Sequence, residues 1–188
     1  MQFKLKQLAP LLTCSFLISQ SAFAQKFTLT SQDIQHNKFM DSKHEFNGFG
    51  CTGDDQSAHL KWENPPKGTK SFAITVYDPD APTGSGWWHW QVVNIPLTIN
   101  EIQTNSGKKE SGLMPANSQT IRNDYGVFGF GGACPPSGHG VHHYQFTVHA
   151  LSVEKIELPI DASGALTGYM IHANSIESST IETFYSRE

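Results

Sequence analysis

The stretch His142-His-Tyr-Gln-Phe-Thr-Val-His-Ala-Leu151 decides the fold, because its side chains alternate with the period of a β-strand. One face carries a mainly apolar set: His142, Tyr144, Phe146, Val148 and Ala150. The opposite face carries His143, Gln145, Thr147 and His149. A histidine that begins a core face is either buried or directed into a cavity at the end of the strand.

Other segments repeat this short pattern, with turn residues between them. The sequence predicts strands over residues 27–30, 71–77, 88–95, 142–151 and 180–185. It predicts one helix over residues 163–173, with Ser163 as the N-cap. Many short strands with little helix are typical of a mainly β protein, either an antiparallel β-sandwich or a related β fold.

The first 24 residues have the pattern of a signal peptide. Lys4 and Lys6 precede an apolar segment, and Ala22-Phe-Ala24 supplies a small–x–small cleavage site before Gln25. The apolar segment is shorter than the roughly 20 residues that cross a bilayer. We therefore expect residues 1–24 to be removed and residues 25–188 to form a single domain, located in the periplasm or secreted.

Charge and hydropathy restrict the partners. The chain has 13 Lys and Arg residues against 17 Asp and Glu residues, a formal net charge of −4, and no basic run. A nucleic-acid-binding protein needs a basic surface, so we expect no nucleic acid partner. No later stretch approaches the length of a membrane span, so we also expect no transmembrane segment.

Two cysteines, Cys51 and Cys134, remain when Cys14 leaves with the signal peptide. A pair in an oxidising compartment favours a disulfide. The alternative is two buried free thiols, which are common in protein cores.

Polar residues cluster around three bends rich in proline and glycine, and we expect them to form the wall of one pocket: Asp78, Asp80, His89, His142 and Tyr144. Each bend lies at the end of a predicted strand, an arrangement in which loops carry binding groups and the sheet holds them. Asp78 extends the core face of strand 71–77, where a carboxylate needs hydrogen bonds or a cation. The alternative is a turn in which Asp78 and Asp80 cap backbone N–H groups.

Aromatic and glycine residues surround these groups. Strict alternation places Trp88 and Trp90 opposite His89, as core residues, and puts Trp87 on the side of the pocket. The segment 126–140 contains six glycines, which either bring backbone amides close to an anion or only permit tight turns. The three motifs contain no lysine or arginine, so an anion would depend on imidazole N–H groups, the tyrosine hydroxyl and amides, and would bind more tightly once a histidine is protonated.

Two catalytic alternatives use the same residues. Asp78, His89 and His142 form a set of two histidines and one carboxylate, as in some zinc sites. Cys134 and His142 could form a nucleophilic dyad if the thiol is free. The motifs lack the spacing of known metal or hydrolase signatures. We therefore expect no metal, no cofactor and no catalytic residue, and hence no enzyme.

The motifs Asp78-Pro-Asp-Ala-Pro82, Trp87-Trp-His89 and Pro135-Pro-Ser-Gly-His-Gly-Val-His-His-Tyr144 resemble the phosphatidylethanolamine-binding protein (PEBP, Raf kinase inhibitor-like) family. The chain is most similar to its bacterial periplasmic YbcL-type branch, and the similarity covers nearly all of residues 25–188. The resemblance implies a large antiparallel sheet packed on a smaller one, with a few short helices. It also implies an anion pocket with these residues, Trp87 at its rim: Asp78, Asp80, Trp87, His89, Pro136, His142 and Tyr144.

One residue departs from the family pattern. His143 stands where eukaryotic relatives usually carry arginine, which removes one cation from the expected pocket mouth. We expect an exported binding protein for a small anion or a phosphate-bearing headgroup that also modulates a protein partner. The alternative is a protein-interaction module that inhibits a protease or a host protein.

Overall fold

The computed structural model describes residues 25–188, so the predicted signal peptide over residues 1–24 lies outside it. The strands are β1 (Thr28–Thr30), β2 (Asn47–Gly48), β3 (Cys51–Thr52), β4 (Leu60–Glu63), β5 (Ser71–Asp78), β6 (Trp87–Pro96), β7 (Glu101–Ile102), β8 (Gln119–Thr120), β9 (His142–Leu151) and β10 (Ser175–Tyr185). The helix α1 spans Gly164–Asn174, and two 3₁₀ turns span Ser42–His44 and Lys109–Ser111.

A five-stranded antiparallel sheet, in the order β10-β9-β5-β6-β8, dominates the molecule. A three-stranded sheet, β1-β4-β7, and a two-stranded sheet, β2-β3, accompany it. Strand β9 pairs with both β5 and β10, which makes the stretch that decides the fold a central strand. The predicted fold class is confirmed: the protein is mainly β, with a large and a smaller antiparallel sheet and short helices.

The main core lies on one face of the large sheet, and β9 contributes its predicted apolar face to it. Tyr144, Phe146 and Val148 are buried there with Trp62 and Phe72. Burying a side chain of this size contributes about 1.5–3 kcal/mol relative to exposure.

A second apolar cluster covers the opposite face of the sheet under α1, and it includes Ala73, Leu151 and Ile171. Both faces of β5 are therefore covered, and its residues 71–76 are all buried. The alternation predicted for this strand consequently does not separate a buried face from an exposed one.

Local capping explains where α1 begins. The Ser163 hydroxyl accepts the Leu166 N–H at 3.1 Å, so it satisfies one of the free donors of the first turn. Glycines bring the helix close to the sheet, because a Cβ at Gly164 would lie 2.5 Å from the Trp88 ring. The predicted helix is confirmed to within one residue, but β10 begins at Ser175 rather than at residue 180, with a register irregularity between Ser175 and Glu177.

A β-bulge at His89 changes the face on which its neighbours lie. Val76 pairs with Trp90, whereas Tyr77 pairs with Trp88, so His89 has no partner on β5. A bulge re-aims side chains and often occurs beside functional sites. The prediction that Trp88 and Trp90 both lie opposite His89 is therefore wrong for Trp90.

Ring contacts agree with this assignment of faces. Trp90 packs in the main core, 6.0 Å from the Phe130 ring, and the His89 ring lies 5.2 Å from that of Tyr144 on the same face. Trp88 remains on the other face, beside Gly164 and Gly168 of α1.

The structure contains the predicted disulfide between Cys51 and Cys134, which are 83 residues apart in sequence. The disulfide connects β3 to the segment that leads into β9. Within residues 25–188, no helix has the length and apolar character needed to cross a membrane.

Replacing both cysteines, as Cys51→Ser with Cys134→Ser, should lower the free energy of unfolding by up to about 4 kcal/mol, because the unfolded chain regains the entropy of an open loop. Urea denaturation of the purified protein measures the change. A thiol assay on the denatured, unreduced protein should find no free thiol, and two reactive thiols would contradict the bridge.

His149 should make stability fall as the pH is lowered. Burial, together with the charge of nearby His172, lowers the pKa of His149 to about 4. Above pH 6.5 the ring is neutral in both states and contributes no pH dependence. Between about pH 6.5 and 4 only the unfolded state gains the proton, which destabilises the fold by about 2 kcal/mol at pH 4.5. Urea denaturation at pH 4.5 and 7.5 should show a smaller acid loss in His149→Gln, and equal losses would refute this role.

Candidate functional site

A cavity of about 330 Å³ lies where three strands of the large sheet begin or end. Asp78 is the last residue of β5, Trp87 is the first of β6, and His142 is the first of β9. The cavity is lined by every residue in the predicted ligand set except Asp80: Asp78, Trp87, His89, Pro136, His142 and Tyr144.

A buried carboxylate–imidazole pair forms one wall. Asp78 Oδ2 lies 2.7 Å from His142 Nδ1, and the two side chains are 4% and 2% exposed. The backbone N–H of Asp80 donates to the other oxygen, Oδ1, at 2.8 Å. A carboxylate oxygen accepts, so His142 Nδ1 carries the hydrogen, and both Asp78 oxygens have a donor. These bonds allow a carboxylate to lie on a core face.

His139 extends this pair toward the surface. His139 Nδ1 lies 2.7 Å from His142 Nε2. One proton must lie between two imidazole nitrogens at that distance, because each ring nitrogen is either a donor or an acceptor. His142 Nε2 is therefore already paired with His139.

Asp80 occupies a different place. Its Oδ2 accepts both the backbone N–H of His143 at 2.8 Å and the ring Nδ1–H of the same residue at 2.6 Å. Burial alone would raise the pKa of Asp80, but the His143 hydrogen bonds outweigh it and lower that pKa. Asp80 thus fastens the turn after β5 to the start of β9, which corresponds to the turn role that the sequence also allowed.

The glycine-rich segment fixes the orientation of His89. His89 Nδ1 lies 2.7 Å from the Gly131 carbonyl oxygen and 3.1 Å from that of Gly132. The Gly131 N–H donates to the His89 carbonyl, and the Gly132 N–H donates to Asp55 Oδ1. These two amides are therefore already paired within the wall. Gly132 is required by close approach, because a Cβ there would lie 2.4 Å from the His44 carbonyl oxygen.

Two side chains that line the cavity carry a hydrogen-bond donor, Tyr144 and Trp87. Tyr144 is 2% exposed, and burial, followed by the charge of Asp78, raises the pKa of its hydroxyl, which keeps its proton. The Nε1–H group of Trp87 is buried and has no partner among the described residues. An unpaired buried donor is costly unless a ligand or water satisfies it.

Arg187 supplies the cation that the three motifs lack. It lines the cavity and comes from the segment that follows β10. Its Nη2–H donates to the Gly50 carbonyl at 2.8 Å, and its Nη1–H donates to the Pro135 carbonyl at 3.3 Å. The sequence analysis missed this residue. The antiparallel pairing of Tyr185 with His142 is the signal that places it beside the start of β9.

Aromatic side chains form the rim. Tyr125 stacks on Phe46 at 4.0 Å and donates its hydroxyl hydrogen to the Gly132 carbonyl at 3.0 Å. Phe49 is 77% exposed and has a left-handed backbone with φ of 53°, which is a strained conformation for a bulky residue. The disulfide at Cys51 holds the adjacent chain, so Phe49 is kept at the mouth of the cavity.

The two catalytic alternatives, a Cys134–His142 dyad and a metal site, can be compared with the geometry of the cavity. Cys134 is bonded to Cys51 and supplies no free thiol to His142. Among residues 25–188, no group of three or more His, Cys, Asp or Glu side chains is arranged to hold a metal ion.

The chain is similar to Escherichia coli proteins in sequence and, for YbcL, in solved structure. Two proteins of Escherichia coli K12 are similar in sequence: YbcL, 51% identical over 168 residues (89% of this chain and 92% of that protein), and YbhB, 46% identical over 160 residues (84% and 99%). The crystal structure of Escherichia coli YbcL, described as a new member of the mammalian PEBP family, matches with a TM-score of 0.85 at 49% identity and covers 87% of this chain and 100% of that one.

A family model for the phosphatidylethanolamine-binding protein matches residues 30–186, which include every strand but the first two residues of β1 and all of the cavity residues except Arg187. The chain therefore belongs to the phosphatidylethanolamine-binding protein family.

Proposed function

We propose that this protein binds a small anion or a phosphate-bearing headgroup in the cavity at the ends of β5, β6 and β9, and that it does so without catalysing a reaction. The observation that carries the proposal is that one cavity is lined by three residues with hydrogen-bond donor groups from separate parts of the chain: Tyr144, Trp87 and Arg187. Donors that converge in a concave site are the usual means of recognising an oxyanion.

The electrostatics of the cavity support an anionic ligand. Asp78 is the one carboxylate among the lining residues, and both of its oxygens already accept hydrogen bonds. Its charge is therefore directed toward His142 and away from the ligand. Arg187 leaves a fixed positive charge at the mouth, because its hydrogen bonds go to neutral carbonyl groups.

The absence of a reaction is part of the proposal. The cavity offers hydrogen-bond donors, one buried carboxylate–imidazole pair and apolar walls, and its cysteine is oxidised. These groups can hold a phosphate group, but they do not include an activated nucleophile. A cavity of about 330 Å³ is at the lower end of the range for small-molecule sites, which suits a headgroup better than a whole lipid.

Export to the periplasm or outside the cell is the second part of the proposal. The sequence begins with the pattern of a signal peptide, and a disulfide fastens the cavity wall. Disulfides persist in oxidising compartments. The ligand would then be drawn from that compartment.

A second candidate function is a protein-interaction module that uses the rim. The exposure and strained backbone of Phe49 favour it, since a bulky side chain held in water at the mouth of a pocket is available to a partner. A partner bound in this way should require Phe49 and tolerate a change at His142. Anion binding should show the opposite dependence.

Tyr144→Phe should weaken the binding of inorganic phosphate and of phosphoethanolamine by roughly 10- to 100-fold, because one hydrogen bond to a charged group is lost. Titration calorimetry measures the affinity, and thermal unfolding checks that the variant is folded. Unchanged affinity in a folded variant would remove Tyr144 from the site.

Arg187→Gln should weaken binding of the same anions by roughly 3- to 10-fold and reduce the dependence of affinity on salt, because a charge at a partly exposed rim is screened by ions. Lys67→Gln is the matched control, since it makes the same charge change at an exposed residue outside the cavity. Equal effects of the two substitutions would show that Arg187 acts only through net charge.

A further inference from the structure

A second cavity, of about 470 Å³, lies beside strand β8, and we refer to it as the β8 cavity. Four separate parts of the chain line it: residues between Ser106 and Met114, both residues of β8, Phe128 with Gly129, and Ile160. Among residues 25–188, it shares no lining residue with the cavity at the ends of β5, β6 and β9. Its volume is in the range of small-molecule sites. The proposed anion-binding function leaves this cavity without a role.

Apolar side chains form part of its wall: Met114, Phe128 and Ile160. Met114 packs against the main core, so the apolar wall is continuous with the core of the protein. Phe128 and Ile160, by contrast, are 43% and 82% exposed. Exposed apolar surface in a concave site is characteristic of ligand binding, because an apolar ligand removes that surface from water.

Lys108 gives the β8 cavity a single sign of charge, because it is the one charged residue among those that line it. Its ammonium group donates to the backbone carbonyl of Asp54 at 3.1 Å, and it takes part in none of the ion pairs that residues 25–188 form. The remaining polar side chains that line the cavity are neutral: Ser106, Ser111, Gln119 and Thr120. A ligand in this cavity therefore meets a positive charge that no lining carboxylate neutralises.

The neighbouring acids leave this charge available. Burial raises the pKa of Asp55, and the Gly132 hydrogen bond, followed by the charge of Lys108, opposes that rise. Asp55 does not line the cavity, and its Oδ1 accepts the Gly132 N–H at 2.6 Å. Asp54 and Glu110 are exposed residues that do not line it either, so water and salt screen their carboxylates. The lining residues thus favour an anionic group over a cationic one.

We propose that the β8 cavity is a second binding site, for a small amphipathic carboxylate such as a medium-chain fatty acid. In this site the apolar chain lies against Met114, Phe128 and Ile160, and the carboxylate pairs with Lys108. Both parts define the ligand class: the apolar wall alone would also accept a cationic amphiphile, and Lys108 alone would also accept inorganic phosphate. The proposal does not depend on anion binding in the cavity at the ends of β5, β6 and β9.

Titration calorimetry should compare octanoate, hexanoate and the octylammonium ion at pH 7.5. We expect octanoate to bind roughly 10-fold more tightly than hexanoate, because each buried CH₂ group strengthens binding about 3- to 4-fold. It should bind about 10-fold more tightly than octylammonium, because Lys108 attracts the one and repels the other. Lys108→Gln should remove this preference for the carboxylate. Lys67→Gln, the same charge change at an exposed residue outside the cavity, should preserve it.

The apolar wall has a matched pair of variants. Ile160→Ser should weaken octanoate binding by roughly 10-fold, because less apolar surface is removed from water. Ile176→Ser makes the same change at an exposed isoleucine that does not line the cavity, and it should leave the affinity unchanged. Equal effects of the two substitutions, or equal affinities for octanoate and octylammonium in the wild type, would overturn the proposal.

NMR of the ¹⁵N-labelled wild type locates the ligand without a variant. Octanoate is expected to shift the amide signals of Gly112, Gly129 and Ile160. Shifts confined to residues of the other cavity, such as Trp87 and Tyr144, would overturn the proposal and leave the proposed anion-binding function intact. Failure of octanoate to bind at all would likewise overturn the proposal. Phosphate binding is measured separately, so its failure would bear only on the proposed function.

Discussion

The register between β5 and β9 is the constraint on which the site depends. Val76 pairs with Phe146 and Tyr77 pairs with Gln145, so the residue that follows, Asp78, ends β5 beside the start of β9. Side chains alternate across a strand, and a slip of one residue would move Asp78 and the apolar face of β9 to opposite sides of the sheet. The main core, which includes Phe146, penalises such a slip strongly. Packing far from the cavity therefore sets the 2.7 Å contact between Asp78 and His142.

The contact between Asp78 and His142 is part of a larger set of hydrogen bonds. The two carboxylate oxygens of Asp78 accept hydrogen bonds from His142 and from the backbone N–H of Asp80. One carboxylate oxygen of Asp80 accepts the backbone N–H of His143. The result is a continuous set of hydrogen bonds that fastens the turn after β5 to the first residues of β9. Residues of this kind rigidify a site when every member is satisfied. These hydrogen bonds hold the wall of the cavity in place without a ligand.

Periodicity and composition were enough to predict the parts of the site that follow from regular structure. The face of β9 that carries His142 and Tyr144 could be predicted because strands alternate, and the helix start at Ser163 because capping is a local property. The Cys51–Cys134 bridge could be predicted because the expected removal of residues 1–24 leaves two cysteines. In each case the determining interaction lies within a few residues or follows from a simple count.

The remaining features depend on relations between distant segments. The bulge at His89 becomes visible only when β5 and β6 are paired, and it moves Trp90 to a face that alternation does not predict. Arg187 reaches the cavity because β10 lies antiparallel to β9, although 45 residues separate it from His142 in sequence. Asp80 lies only two residues from Asp78, but it bonds to a different residue, His143, because the turn after β5 directs its side chain there. Local sequence patterns carry no information on such pairings.

Contacts between distant segments also hold two histidines of the cavity in different ways. His89 is held by carbonyl groups of a segment with no room for a side chain at Gly132, so Nδ1 carries a hydrogen in this orientation of the ring. His142, by contrast, contacts Asp78 through Nδ1 and the exposed residue His139 through Nε2. The bulge at His89 is thus the local irregularity that places both His89 and Trp90 on the face of β6 that carries the main core.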